Sequence, residues 1–385
     1  MNVKSFLYVV GIAGFSLVQA AGNSYPRGAD LFYGEVSSSF IIRWAFQHFC
    51  DHVFDPRTGE HEKPTTRNPG GVTFDPLAVK LGDSIFVRKI DLFMETMHDK
   101  IQVPYLMVTH GDFLDVSDEK HISYLDDEKI IAWFSIHPPK RWHPKYFPIP
   151  LGVFQEKEFF AEKQKYNDFF KELRNKPKTI LLTGIFDAAQ KDERASVDKV
   201  FRGKSFCFSL ANDVPFKEYM DKLASSVFVL SPRGIGPDCY TTWEALLVGT
   251  IPIVKRGKYG VKEDAREHVR SHLYNPVIRA QLDRLYENLP ILVIDEWNEV
   301  TEEFLEQKYK EISSRHYSIE PLYIEYWRTL ITTVKEEYIE NYQQKAGFSL
   351  DERNLSRALE YVKEKSHFSL LAFIKSYLFC ECSAG

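Results

Sequence analysis

Short apolar runs alternate with amphipathic stretches along most of this chain, and the alternation predicts strands separated by helices. Ser84 to Val87 and Tyr105 to Val108 have strand length and composition. Between them, Ile90 to Lys100 carries helical spacing, with Leu92, Phe93 and Met97 expected inward. Together they predict a βαβ unit, and Ile130 to Ile136 a third strand. Ahead of them, Ser38 to His48 predicts a helix, and Asp55 to Gly71, dense in Pro, Gly, Thr and Arg, a long surface loop. The prolines and aromatics of His137 to Pro150 predict the crossing between two domains.

The second half alternates more cleanly. Strands are expected at Thr179–Thr183, Phe206–Ser209, Val227–Leu230, Ile251–Val254 and Ile291–Val293. One intervening helix, Phe216 to Ala224, sets Tyr219, Met220 and Leu223 on one face. From Val300 the chain turns charged and helical, and 320–379 predicts long helices packing back across both domains. The pattern implies an α/β fold of parallel sheets with helices on both faces, with ligands beyond the carboxyl ends of the strands.

Residues 226–254 carry the most chemistry. A strand ending at Leu230 enters a turn with Arg233, Gly234 and Gly236. Asp238 stands where a helix N-cap belongs, Tyr240 to Val248 has helical spacing, and Gly249 supplies the stop. Strand, glycine turn and helix N-terminus form a ready anion site, because unpaired N–H groups and the helix dipole point at it. Arg233 offers a fork of donors that matches two phosphate oxygens, although a surface salt bridge is its bland reading. Glu244 lies deep enough in the helix to meet a sugar hydroxyl, and Gly234 and Gly236 would allow close backbone approach. Asp238 reads as a structural cap and Trp243 as core.

This stretch resembles the exostosin-type glycosyltransferases, whose donor domain carries Ser-Pro-Arg-Gly, then Trp-Glu-Ala-Leu and Gly-x-Ile-Pro; here these are Ser231 to Gly234, Trp243 to Leu246 and Gly249 to Pro252. Leu289 to Trp297 with Glu299 to Thr301, Val108 to Asp112 and Pro148 to Gly152 extend the likeness over about residues 100–310. The resemblance implies a GT-B architecture, with two Rossmann-like domains facing a cleft and the donor on the second. It also implies inversion at the anomeric carbon. One position departs: where the family has Arg three residues before the helix acid, this chain has Thr241, and Lys255 or Arg256 would have to replace that cation.

On this reading residues 1–20 are a signal peptide and 21–150 an acceptor-side domain. Residues 151–310 form the nucleotide-sugar domain and 311–385 a helical segment. Lys4, the apolar run Phe6 to Val18 and Val18-Gln19-Ala20 make the leader pattern; an uncleaved anchor is the alternative. The expected location is a secretory-pathway lumen or the exterior, or a periplasm in a bacterium. The apolar tail at His367–Phe379 reads as a docked amphipathic helix, and Asn354-Leu355-Ser356 as a glycosylation triplet.

A net charge of −5 without a basic run argues against nucleic acid as the main partner. Of five cysteines, Cys207 and Cys239 read as reduced core residues. Asp-x-Asp is absent from the sequence, so a metal bridge to a diphosphate is not expected, and no cofactor beyond the nucleoside-diphosphate sugar is implied. An inverting transfer needs a general base at the acceptor hydroxyl. His110 and Asp112, after a strand end, are the candidates, with His137 and His143 flanking the crossing. The leading function is therefore sugar transfer to a saccharide or glycoprotein acceptor. A non-catalytic exostosin-like subunit that binds donor or glycan is the alternative, and a homo- or heterodimer suits either. A sugar epimerase ranks last, because the dinucleotide glycine fingerprint is missing.

Overall fold

The computed structural model describes residues 25, 27–34, 39–56, 74–111, 119–136, 143–154, 161–186, 193–211, 213–233, 238–256 and 285–345. Strand β1 (Phe32–Tyr33) precedes helix α1 (Arg43–Phe49), β2 (His52–Phe54), β3 (Ser84–Val87), α2 (Ile90–Thr96) and β4 (Tyr105–Thr109). Then come α3 (Glu119–Tyr124), β5 (Ile130–Ser135) and β6 (Tyr146–Pro148). Strands β2 to β6 lie side by side in chain order, every pairing parallel. Such a sheet is covered on both faces, which is why its strands read as continuous apolar runs. Ile85, Val87, Tyr105, Met107 and Trp133 join a cluster with Phe93 of α2. Their neighbours Phe86, Leu106, Val108, Ala132 and Phe134 belong to the cluster that holds Phe46 of α1.

The second half runs α4 (Lys163–Arg174), β7 (Ile180–Phe186), α5 (Glu193–Phe201), β8 (Cys207–Ala211), α6 (Phe216–Ala224), β9 (Ser226–Leu230) and α7 (Tyr240–Leu247). β10 (Ile251–Lys255), β11 (Leu292–Ile294), α8 (Glu302–Ser313), β12 (Tyr317–Ser318) and α9 (Ile324–Lys345) complete it. Its sheet is also parallel, in the order β8-β7-β9-β10-β11. Counted from β7, this is a doubly wound order whose direction reverses between β7 and β9. Phe228, Leu230, Ile251 and Ile253 pack with Val197 and Phe201 of α5 and Leu305 of α8. Val229 shares the other cluster with Met220, Leu223, Ala245 and Leu246 of α6 and α7. Two parallel sheets with covering helices form the α/β class expected, compatible with a Rossmann-like GT-B arrangement.

Both ends of the described chain cross to the opposite half. β1 pairs in parallel with β12, and Tyr25 bridges Lys178, so Tyr25 and Phe32–Tyr33 sit against the C-terminal half although they precede the first sheet. α9 returns to the first sheet: Trp327, Leu330 and Ile331 are buried in the cluster that holds Phe46 and Phe134. Lys335 there reaches Asp83 at 3.4 Å and Asp51 at 3.7 Å. This fits the expected packing of C-terminal helices across the fold; residues 346–385, with the 367–379 tail and Asn354, lie outside the described residues, as do 1–24 with the leader.

Four expectations are corrected. The helix foreseen at 38–48 begins at Arg43, because Phe40 is taken by a bridge to Tyr323. The helix foreseen at 90–100 ends at Thr96 and leaves Leu92 42% exposed, while Phe93 is fully buried. The crossing foreseen at 137–150 contains β6, the fifth strand of the first sheet, so the passage to the second half follows Pro148. Asp238 is not the helix cap: Cys239 holds that position, without a side-chain bond. Most of the 55–71 loop lies outside the described residues. Among those described, no helix is long and apolar enough to cross a membrane.

Candidate functional site

Four charged side chains gather on the carboxyl rim of the second sheet. Arg233 follows β9 and Lys255 ends β10; Glu193 opens α5 behind β7, and Glu296 follows β11. Glu193 Oε2 lies 2.8 Å from Arg233 Nε, and its Oε1 accepts the indole N–H of Trp297 at 2.8 Å. Burial pushes the Glu193 carboxyl above its usual range, and the charges of Arg233 and Lys255 oppose that rise. Lys255 Nζ itself pairs with Glu296 Oε2 at 2.9 Å. Of the three cations named from the sequence, Arg233 thus follows the strand that borders the reversal and Lys255 ends the strand beside it, each held by a carboxylate, while Arg256 lies 4.0 Å from Asp295. Gly234, Gly236 and Asp112 lie outside the described residues.

Helix α7 is anchored at both ends by buried polar groups. Asp238 Oδ2 accepts from Leu151 N at 2.8 Å and Trp243 Nε1 at 2.7 Å. Its Oδ1 accepts from Cys239 N at 2.9 Å and Tyr286 OH at 2.7 Å. Burial raises the Asp238 carboxyl, and these four donors hold it back. At the far end, Arg174 donates to Leu247 O at 2.6 Å, and Lys178 to Val248 O at 3.4 Å and Thr250 Oγ1 at 2.9 Å. Arg174, a buried cation at the negative end of the helix, complements its dipole, and Lys178 adds donors to the last carbonyl groups. Gly249 stops the helix as foreseen, with φ +66°; a Cβ there would lie 2.3 Å from Gly28 Cα. That contact holds the N-terminal segment against α7.

Glu244 is 5% exposed. Tyr219 OH donates to its Oε2 at 2.8 Å and Phe154 N to its Oε1 at 3.2 Å. Burial raises its pKa. Thr241, the position where the exostosin-type pattern has Arg, lies beside Tyr219. Trp243 is core, as expected, at 1% exposure.

On the rim of the first sheet, His110 follows β4, buried at 2% and stacked on Phe46 with centroids 5.2 Å apart. Its Nε2 lies 3.1 Å from Pro150 O, so that nitrogen carries the hydrogen. The next residue, Leu151, is the donor to Asp238. Pro150 and Leu151 therefore connect the two halves of the candidate site, bonded to His110 on one side and Asp238 on the other. Gly152 lets this segment approach: with φ +79°, a Cβ on it would lie 2.0 Å from Ile41 O. His143 sits 3.3 Å from Asp126, and His137 is outside the described residues.

Sequence reasoning missed Glu193, Tyr219 as a ligand of Glu244, Tyr286 and Trp297. An acid at the first position of the helix after β7 was the only signal for Glu193. Tyr219 was placed on the apolar face of its helix, Trp297 entered only through the family likeness and Tyr286 carried no signal, because a buried Tyr or Trp hides its polar tip within a hydrophobic pattern. Cys50, Cys207 and Cys239 are buried free thiols, which bears out the reduced reading of the last two. Burial holds Cys207 up at about 12. Among the described residues, no group of three or more His, Cys, Asp or Glu is set to hold a metal ion.

No curated protein gives a significant match to the chain. Residues 204–346, from just before β8 to just past α9, match the family model of the RXYLT1 C-terminal domain, a xylosyltransferase-related family. The matched segment is less than half of the chain, but it contains Arg233, Asp238, Glu244 and Lys255. It supports a glycosyltransferase family for this chain.

Proposed function

We propose that the chain is an inverting, exostosin-like glycosyltransferase that moves a sugar from a nucleoside-diphosphate sugar to a saccharide or glycoprotein acceptor. One observation carries the reading: Arg233 and Lys255 stand at the ends of neighbouring strands, beside the point where the order of a parallel sheet reverses. Ligands of doubly wound sheets bind at that point. The two cations and the N-terminal turn of α7 would stabilise charge on the leaving diphosphate without a metal. Glu244 would bind the ribose by exchanging its bonds to Tyr219 and Phe154 for sugar hydroxyls. His110 and Asp112 are the proposed candidates for the acceptor-side base. The lumen of the secretory pathway is the proposed location, since it supplies nucleotide sugars.

Calorimetric titration with UDP, GDP and CDP tests the donor site. Saturable binding of one of them, lost in Arg233→Ala, is expected; no binding of any by folded protein would refute the reading. A transfer assay with the donor so identified separates an enzyme from a non-catalytic subunit. Turnover should persist in excess chelator, and complete loss restored by added metal would overturn metal-independent transfer.

A further inference from the structure

Neither cation on the rim stands by itself. Arg233 Nε is paired with Glu193 at 2.8 Å and Lys255 Nζ with Glu296 at 2.9 Å. The carboxylates come from the two outer sides of the cluster, behind β7 and β11, while the cations come from β9 and β10 between them. Glu193 is the more firmly held: its side chain is 11% exposed and Trp297 fixes its second oxygen. The formal charge of the four groups cancels. A diphosphate reaching Arg233 and Lys255 would meet two carboxylates already paired with them; each cation has further N–H groups to offer, but the like charge of the carboxylates opposes the anion and competes with it for the two cations.

Resting on the donor-site reading above, we infer that Glu193 and Glu296 are built-in competitors of the nucleoside diphosphate: they yield Arg233 and Lys255 to the incoming donor and take them back as the product leaves. The arrangement lowers affinity for the spent nucleotide and keeps both cations oriented between turnovers. Glu193 and Glu296 are in this sense positioning residues, acting through the cations they hold. A purely structural pair would behave otherwise, since removing one partner would disorder the cation and weaken anion binding.

The test is calorimetry and stopped-flow dissociation on Glu193→Gln and Glu296→Gln, with UDP, GDP and CDP as probes and the tightest one followed. Glutamine keeps the shape and an acceptor oxygen for Trp297 but removes the charge. Each variant is expected to bind the nucleotide roughly tenfold more tightly, the scale of one unit charge a few ångströms away in a half-buried site. The gain should appear as slower dissociation. In an Arg233→Ala background the gain from Glu193→Gln should vanish, an outcome that a change in general stability would not produce. Glu296 is 32% exposed, so its variant should fold even if the Glu193 variant does not. Equal or weaker nucleotide affinity in folded variants, with Arg233→Ala still weakening the wild type, would overturn the competitor role and leave the donor site standing. Unchanged affinity in Arg233→Ala would remove the donor site and the competitor role with it.

Discussion

Asp238 accepts the backbone N–H of Leu151 at 2.8 Å, joining the start of α7 to the segment that leaves the first sheet. Pro150, one residue earlier, is bonded by His110 of that sheet. The two rims are therefore in register through two consecutive backbone groups. A carboxylate suits the junction because it accepts only, and four donors converge on it.

Asp238→Asn tests that relationship. The amide would turn its NH2 toward two groups that also donate, leaving buried donors without acceptors. Bonds to a charged group contribute about 1.5–3 kcal/mol each, so a loss of about 3 kcal/mol in unfolding free energy is expected. Urea unfolding measures it; a change within ~0.5 kcal/mol would show that Asp238 is not the anchor.

Arg233→Ala and Glu244→Gln should differ in kind. On the proposed reading Arg233 would meet charge that grows on the leaving group, so its loss should lower kcat as well as donor affinity, by ~2–4 kcal/mol in kcat/KM. Glu244 would touch a part of the nucleotide that reaction does not change, so Glu244→Gln should mainly raise donor KM. Steady-state kinetics on both decides, and equal falls in kcat would refute the division of roles.

Lys178 gives a pH signature. Its amino group is buried against Val248 O and Thr250, and burial pushes its pKa well below 10.5. Between that depressed value and 10.5 the unfolded chain binds more protons than the folded one, so this residue makes stability rise with pH across the window. Tm followed from pH 7 to 9.5 should climb more steeply in the wild type than in Lys178→Met. Parallel curves would mean that Lys178 does not titrate differently on folding.

Thr241→Arg should supply the cation that the exostosin-type pattern has at this position. Thr241 borders Tyr219, the partner of Glu244. A charge-assisted bond to a phosphate is of the order that tightens binding roughly tenfold. Calorimetry with the nucleotide that binds wild type is the measurement, and unchanged affinity would mean that position 241 does not face the diphosphate.

The sequence by itself determined the elements whose burial is uniform. β3, β4, β5 and β9 are covered on both faces, so continuous apolar runs marked them almost to the residue. The α6 helix and the Gly249 stop were equally legible, because one apolar face and one positive φ are local demands. β6 was not, since Tyr146 to Pro148 becomes a strand only by pairing with Trp133 to Ser135. Arg233, Glu244 and Lys255 could be named from spacing, but their partners could not. Glu193 lies 40 residues before Arg233, and Phe154 lies 90 before Glu244. Such pairs meet only when strand order brings the ends of β7, β9 and β10 to one rim, a long-range outcome of packing that no local pattern encodes. The same holds for Asp238: its position suggested a cap, and only the tertiary approach of Leu151, Trp243 and Tyr286 made it the junction of the two halves.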